Sequence, residues 1–136
     1  MRGLAVKAVL LVILVSACGP DNPFEPNPPS PSALTGVFTG GDAKLSWTMC
    51  PDTDFASYTL YRSGSPGIQN NTGSAEVLVV IDKSTTTTYY DQGISGKFYY
   101  ALKTSNSAGD SSWSNEVSVQ SGNLRRPLAP QSFQVY

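Results

Sequence analysis

The chain has 136 residues, of which 40% are hydrophobic, 14% are charged and none is histidine. This length fits one domain with a modest core, once an apolar leader and a proline-rich segment are set aside. Arg2 and Lys7 fall in the leader, so the rest carries seven basic and ten acidic side chains, a net charge of about −3, which gives no electrostatic footprint for nucleic acid, and no nucleic-acid partner is predicted.

The first seventeen residues have the order of a secretory leader. Arg2 and Lys7 precede an apolar run over residues 8–15, and the small residues Ser16 and Ala17 follow. About ten apolar or small residues are too few to span roughly 30 Å of hydrocarbon as a helix, which takes about 20. Residues 1–17 are therefore predicted to be a signal peptide rather than a membrane-spanning helix.

The leader ends in Val15-Ser16-Ala17-Cys18, which resembles the lipobox of bacterial lipoproteins. The resemblance implies that the chain is cut before Cys18, that the Cys18 sulfur carries diacylglycerol, and that acyl chains such as palmitate hold the protein on a membrane. An ordinary signal peptide with a chance cysteine is the alternative. Gly19, and not the Asp that resembles an inner-membrane retention signal, follows Cys18. The expected location is the cell envelope, at the outer membrane if the cell has one.

Residues 18–32 are predicted to be the lipidated cysteine and a tether. Six of the fourteen residues from 19 to 32 are proline, which lacks the backbone N–H and favours extended polyproline II structure. At about 3.1 Å per residue, such a tether could hold a domain about 40 Å from the bilayer. A merely disordered linker and a proline-rich docking peptide are the alternatives.

Residues 33–120 break into short apolar or alternating runs, separated by turn residues about every 8 to 15 positions. This pattern is typical of a β-sandwich or a β-barrel. It predicts an all-β domain without helices, with seven strands at 33–38, 43–48, 57–62, 76–81, 86–90, 97–105 and 113–119.

Alternation along these strands predicts which side chains face inward, because neighbouring side chains on a strand point to opposite sides. The predicted core is Ala43, Leu45, Trp47, Tyr58, Leu60, Thr87, Tyr89, Phe98, Tyr100, Leu102, Val117 and Val119. Tyr61, Tyr90 and Tyr99 have the outward parity and are the candidate recognition residues, because exposed tyrosines can stack on sugar rings or anchor a protein contact. Cross-strand pairs that shield the sheet backbone are the alternative.

Four stretches resemble strands of a fibronectin type III domain: residues 45–47, 58–62, 88–91 and 98–119. The resemblance extends from about Pro31 to Gln120 and implies an immunoglobulin-like two-sheet sandwich of about seven strands. One position departs from the pattern, because the corner tyrosine of the family falls on Phe98, which lacks the hydroxyl that bonds to nearby backbone. Either Tyr99 or Tyr100 takes over this bond, or the corner is unclosed.

The residue types argue against catalysis. The chain has no histidine, the commonest general base and transition-metal ligand. Cys50 is the only thiol besides Cys18, and without an activating base we expect it to be a partly buried residue, with pairing between chains as the alternative. Several aspartates (Asp52, Asp54, Asp91 and Asp110) lie in predicted turns, where Asp is common, and they lack the spacing of a calcium loop. We predict no enzyme activity, catalytic residue, cofactor, metal or small-molecule substrate.

Residues 121–136 show no clear periodicity. They are predicted to be a disordered tail, one short strand or a docking peptide. A single tethered fibronectin type III domain implies a non-catalytic binding or spacer module, with an envelope protein or polysaccharide as its partner. The alternative is an accessory, carbohydrate-binding subunit of an extracellular polysaccharide-acting enzyme system, because bacterial domains of this family often accompany such enzymes.

Overall fold

The computed structural model describes residues 25–122, so the predicted signal peptide, Cys18 and the tail beyond residue 122 lie outside the described residues. The strands are β1 (Leu34–Thr39), β2 (Asp42–Trp47), β3 (Phe55–Ser63), β4 (Glu76–Ile81), β5 (Thr88–Asp91), β6 (Lys97–Asn106), β7 (Ser111–Trp113) and β8 (Val117–Gln120). Two short 3₁₀ turns, Ile68–Asn70 and Thr72–Ser74, connect β3 to β4. Nothing helical in the described part has the length and apolar character needed to cross a membrane.

The strands form two antiparallel sheets that enclose one core. The smaller sheet has the order β1-β2-β5, and the larger has the order β4-β3-β6-β7, with β8 also paired to β6. β1 approaches β8 so closely that a Cβ atom on Gly36 would lie 2.7 Å from Val119 Cγ2. The predicted all-β, two-sheet sandwich is confirmed.

The first six predicted strands are present, and their ends differ from the prediction by at most two residues. The seventh, predicted as one strand over 113–119, is wrong, because β7 and β8 are separated at residues 114–116. There Ser114 Oγ accepts a hydrogen bond from the Leu102 N–H at 2.9 Å, and Asn115 Oδ1 accepts one from the Leu34 N–H at 2.9 Å. Side-chain bonds from Ser114 and Asn115 thus take the place of part of the backbone ladder, although the Ser114 N–H still donates to the Leu102 carbonyl oxygen at 2.8 Å.

The hairpin between β1 and β2 explains the Gly40-Gly41 pair. Thr39 pairs with Asp42 across a two-residue turn, and the two glycines have φ angles of 60° and 98°. Tight hairpins with positive φ at both central positions match the twist of the flanking strands, and glycine adopts this conformation without steric penalty. The glycine pair therefore sets the register of β1 on β2.

The core lies between the two sheets, where the alternation placed it. Eight residues predicted to face inward are buried: Ala43, Leu45, Trp47, Tyr58, Leu60, Tyr100, Leu102 and Val119. Tyr89, Phe98 and Val117 are partly buried against them, and Thr87 is half-buried. Cys50, Ile68 and Ile94 are buried as well, although they lie outside the strands, where alternation gives no signal.

Tyr100 does not take over the backbone bond that the corner tyrosine of the family makes. Its Oη donates to Asp91 Oδ2 at 2.8 Å, and the same carboxylate accepts bonds from Arg62 Nη1 at 2.9 and 3.0 Å. The bond therefore ends on a side chain and not on the backbone. The Phe98 ring packs against the Arg62 guanidinium, whose Cζ atom lies 4.9 Å from the ring centroid.

Residues 27–32, which the sequence assigned to the tether, contact the domain. The Asn27 N–H donates to Asp110 Oδ2 at 3.0 Å, in the connection between β6 and β7. The Ser30 N–H and hydroxyl both donate to the Asp52 carboxylate, in the connection between β2 and β3. Ser32 is buried. Within the described residues, hydrogen bonds between the predicted tether and the sandwich are thus present from Asn27 onward, six residues before the predicted domain start at residue 33.

Candidate functional site

The outer surface of the five-stranded sheet carries three aromatic side chains. Tyr61 on β3 lies opposite Ala101 on β6, and Trp113 on β7 lies opposite Lys103 on β6. Opposed residues of antiparallel strands point to the same side, and these positions alternate with the inward Leu60, Tyr100 and Leu102. We call this surface the aromatic face. It consists of Tyr61, Tyr99, Trp113, Lys97 and Lys103, with Val77 and Val80 of the neighbouring β4.

Two rings of the aromatic face, those of Tyr61 and Trp113, lie close together on the sheet. The centroids of Tyr61 and Trp113 are 5.2 Å apart, with the ring planes tilted by 45°, a favourable separation for an aromatic pair. Ala101 has the outward parity and is nevertheless fully buried, so the neighbouring side chains of this face cover it. The rings are half-buried and form a layer over the sheet, as expected of the cross-strand alternative, while part of each ring remains accessible.

Each lysine of the aromatic face lies over an aromatic ring. Lys97 Nζ is 5.3 Å from the centroid of Tyr99, and Lys103 Nζ is 6.0 Å from that of Trp113. Within residues 25–122, the ion pairs between side chains are those of Arg62, so neither lysine is paired with a carboxylate. The two ammonium groups remain free to meet an anionic group of a ligand.

Tyr90 lies on the opposite side of the molecule from the aromatic face. It belongs to β5 and faces outward from the three-stranded sheet, with 46% of its surface exposed. Its register partner on β2 is Lys44, whose Nζ is 5.9 Å from the Tyr90 ring centroid, and Val37 lies opposite Lys44 on β1. The structure therefore brings Tyr61 and Tyr99 together on one face and separates Tyr90 from them.

Trp113, Lys97 and Lys103 also belong to this surface, although they were not among the candidate recognition residues predicted from the sequence. A single strand over 113–119 would have placed Trp113 on the same side as Val117 and Val119. The interruption at residues 114–116 reverses its side, so that Trp113 faces outward while Val119 is buried. The outward parity that Lys97 and Lys103 share with Tyr99 was available from the sequence as a signal.

The polar cluster of Arg62, Asp91, Glu76 and Tyr100 lies at the edge of the core and connects the two sheets. Burial opposes the charge of Arg62, but hydrogen bonds and charges from Glu76 and Asp91 outweigh it and raise the pKa of Arg62 further above its ordinary value. Burial, together with the bond to Asp91, strongly raises the pKa of Tyr100. The buried donors and acceptors satisfy one another, so the cluster is structural.

Cys50 is the one cysteine within the described residues, and it is buried more completely than the sequence analysis expected, at 3% exposure. Burial raises the pKa of its thiol, and the Sγ atom lies 3.5 Å from Asp52 Oδ2. A buried thiol beside a carboxylate is a poor nucleophile, because the thiolate is disfavoured.

The aspartates of the turns hold the loops together. Asp52 binds Ser30, Asp110 binds Asn27, and Asp54 Oδ2 accepts a bond from Asn106 Nδ2 at 3.1 Å. A polar cavity of about 440 Å³ lies between residues 27–30 and 52–54. Within residues 25–122, no group of three or more Cys, Asp and Glu side chains is arranged to hold a metal ion.

A second cavity, of about 610 Å³, lies at the other end of the sandwich, beside the β1–β2 hairpin. It is lined by Phe38, Gly40, Gly41, Ile94, Ser95, Ser121 and Gly122. The described residues of its lining include no titratable side chain. The described chain thus enters at the end that holds Asp52 and leaves at Gly122, at the opposite end.

Comparisons with known proteins agree with this fold. No family model and no curated protein matches the chain. Among solved structures, an Fn3-like protein from Clostridium thermocellum has a TM-score of 0.55 and 25% identity, over 74% of this chain and 100% of that chain. The sixth fibronectin type III domain of human fibronectin type III domain containing protein 3 has a TM-score of 0.51 and 18% identity, over 71% of this chain and 87% of that domain.

Part of a larger enzyme has the same fold. Pectate lyase PelI from Erwinia chrysanthemi, in complex with tetragalacturonic acid, has a TM-score of 0.56 and 18% identity over 65% of this chain. The match spans only 28% of the lyase chain. These likenesses establish a fibronectin type III-like sandwich, and the fold expected from the sequence is confirmed.

Proposed function

We propose that this protein is a lipid-anchored component of the bacterial cell envelope, and that its fibronectin type III-like domain is a non-catalytic binding module. The observation that carries the binding function is the aromatic face, where Tyr61, Tyr99 and Trp113 lie with two lysines that have no acidic partner within residues 25–122. Aromatic anchors supply much of the binding energy of protein surfaces. The aromatic face is therefore the proposed recognition surface.

The proposed membrane attachment rests on the sequence of the leader. Arg2 and Lys7, the apolar run that follows and the sequence Val15-Ser16-Ala17-Cys18 match the order of a lipoprotein signal. Diacylglycerol on Cys18 and a further acyl chain would hold the mature protein on a bilayer, because two or more chains give stable anchoring.

The non-catalytic role is supported by how the reactive groups are used. Asp91 is held by Arg62 and Tyr100, and Asp52 is held by Ser30. Cys50 is buried beside a carboxylate. No histidine is available to act as a base. The accessible side chains are thus better suited to contact than to proton or group transfer.

Contacts at the start of the domain support a spacing role as well. Asn27 and Ser30 attach the incoming chain to the end of the sandwich that holds Asp110 and Asp52. A lipid anchor upstream of residue 27 would therefore leave this end facing the membrane. The aromatic face, on the side of the sandwich, would then be presented laterally within the envelope.

The second candidate function is an accessory, carbohydrate-binding subunit of a polysaccharide-acting enzyme system. It is favoured by the pectate lyase structures, in which a domain of this fold accounts for about a quarter of a chain, 28% in PelI. In that case the enzyme would be a separate chain, and this domain would supply contact with the polysaccharide.

Retention on isolated envelope material tests the binding function. The double substitution Tyr61→Ser with Trp113→Ser removes the ring pair, and we expect it to abolish retention of the acyl-free domain, residues 25–136. Tyr90→Ser is the matched control on the opposite sheet, and we expect it to retain wild-type binding. Thermal melts of all three proteins establish that they are folded. If the double variant is folded and still retained, or if Tyr90→Ser alone loses retention, the aromatic face is not the recognition surface.

A further inference from the structure

We propose that the aromatic face binds a negatively charged polysaccharide, a linear chain of sugar rings that bear carboxylate groups. This inference rests on the proposed binding function and deepens it by assigning the class of ligand. It follows from the charge of the face, from the distance between its lysines and from the way its rings lie on the sheet.

The charge of the aromatic face differs from that of the rest of the domain. Residues 25–122 contain nine acidic and five basic side chains, yet no Asp or Glu occupies an outward position on the strands of this face. Glu76, at the start of β4, is bound to Arg62. Lys97 and Lys103 therefore form a local positive area on a domain that is otherwise acidic. Such an area complements an anionic ligand, whereas a neutral glycan would require neither lysine.

The arrangement of the two lysines indicates a polymer rather than a single sugar. Lys97 and Lys103 are six residues apart on β6, which corresponds to about 20 Å at roughly 3.3 Å per residue. Tyr99, Tyr61 and Trp113 lie along the surface between or beside them. A chain of several sugar rings could place its rings on the aromatic side chains and its carboxylates at the two ammonium groups. One monosaccharide is too short to reach both lysines.

The packing of the rings argues against a bilayer or a protein as the main ligand. The rings are half-buried and lie against the sheet, so they do not project as wedges that could enter a membrane. Two lysines also provide little attraction to anionic lipid compared with the basic clusters of membrane-binding segments. Protein interfaces are depleted in lysine, whereas here lysines border the rings at both ends of the surface.

Affinity electrophoresis of the acyl-free domain tests this proposal with polygalacturonate as the probe. Fully methyl-esterified polygalacturonate has the same sugar backbone without the charge and is the matched control. We expect the domain to be retarded by polygalacturonate and much less by the ester. The substitutions Lys97→Gln and Lys103→Gln together should weaken binding about tenfold, since each removes one exposed charge contact. Lys44→Gln, on the opposite sheet, should leave binding unchanged.

Several outcomes would overturn the proposal. Equal binding of both polymers would show that the ligand is recognised without its charge. Absence of polygalacturonate binding in a domain that envelope material retains through Tyr61 and Trp113 would refute the ligand class and leave the binding function intact. Lysine-dependent binding to phosphatidylglycerol vesicles, without binding to polygalacturonate, would identify a membrane surface instead. If the wild-type domain binds neither polygalacturonate nor vesicles and is not retained on envelope material, both proposals are refuted.

Discussion

At the residue scale, Asp91 is the point where polar contacts between the two sheets meet. Its carboxylate accepts two bonds from Arg62 and one from Tyr100, and the Asp91 side chain is only 8% exposed. The ring of Tyr100 is buried in the core, and its hydroxyl reaches the Asp91 carboxylate from there. A single buried acid thus connects β3, β5 and β6.

The substitution Asp91→Asn should destabilise the domain by about 2 to 4 kcal/mol, because it leaves the Arg62 guanidinium without its most buried partner. Glu76→Gln is the matched control at the other end of the same guanidinium. The Glu76 side chain is 60% exposed, so removing its negative charge should lower the free energy of unfolding by less than about 1 kcal/mol. Urea denaturation measures both. Equal effects of the two substitutions would contradict the assigned role of Asp91.

At the element scale, the segment 27–32 behaves as part of the sandwich through its contacts with two loops. The Ser30 N–H bond is the main cause of the lowered pKa of Asp52, since this bond favours the ionised carboxylate. The stabilisation that comes from ionised Asp52 is therefore fully present above about pH 4 and is lost as the pH falls through the lowered pKa of Asp52.

Hydrogen exchange tests the contacts of this segment. In Asp52→Ala we expect faster exchange of the Ser30 amide than in the wild type at the same pH, because its acceptor is gone. Asp42→Ala is the control, since Asp42 Oδ1 accepts the Gly93 N–H at 2.9 Å at the other end of the sandwich. In that variant the Gly93 amide should exchange faster and the Ser30 amide should not. Unchanged Ser30 exchange in Asp52→Ala would mean that the segment is held by other contacts.

The strands and most of the core could be predicted because alternation is a local property of each strand. β2, β3 and β6 bury one face, so Leu45, Leu60 and Leu102 were placed correctly from parity. The interruption between β7 and β8 could not be predicted, because it depends on bonds from Asn115 to Leu34, 81 residues away in sequence. Without knowledge of that interruption, the outward orientation of Trp113 could not be predicted from the sequence. The full aromatic face could therefore not be predicted either.

The separation of Tyr90 from Tyr61 and Tyr99 has a related cause. All three share the outward parity of their own strands, but parity does not say to which sheet a strand belongs. β5 pairs with β2 and not with β3 or β6, and strand pairing is a long-range property. The three tyrosines could therefore be identified as outward-facing residues without being divided correctly between two surfaces.

At the scale of the whole molecule, the proposed anchor and the proposed recognition surface are independent features. Metabolic labelling with a fatty acid tests the anchor. We expect the wild-type protein to be labelled and Cys18→Ser to be unlabelled and released from the membrane fraction, because the sulfur that carries the lipid is absent. Cys50→Ser is the control and should remain labelled. A labelled and processed Cys18→Ser protein would contradict the lipoprotein assignment.

We propose that the aromatic face, and not the opposite sheet, meets the partner in the envelope. Two exposed valines allow a direct comparison. Val80 belongs to the aromatic face and is 62% exposed, whereas Val37 lies on the three-stranded sheet and is 60% exposed. Replacing either one with the photo-crosslinking residue benzoylphenylalanine places a probe on one side of the sandwich.

The most direct measurement is photo-crosslinking of these two proteins in intact cells. Benzoylphenylalanine at position 80 should give crosslinked products of higher mass on irradiation, and at position 37 it should give none or far fewer. Both probes are similarly exposed, so a difference in yield reports which surface is in contact. Crosslinking from position 37 alone, equal crosslinking from both positions, or none from position 80 would contradict the assignment of the aromatic face as the recognition surface.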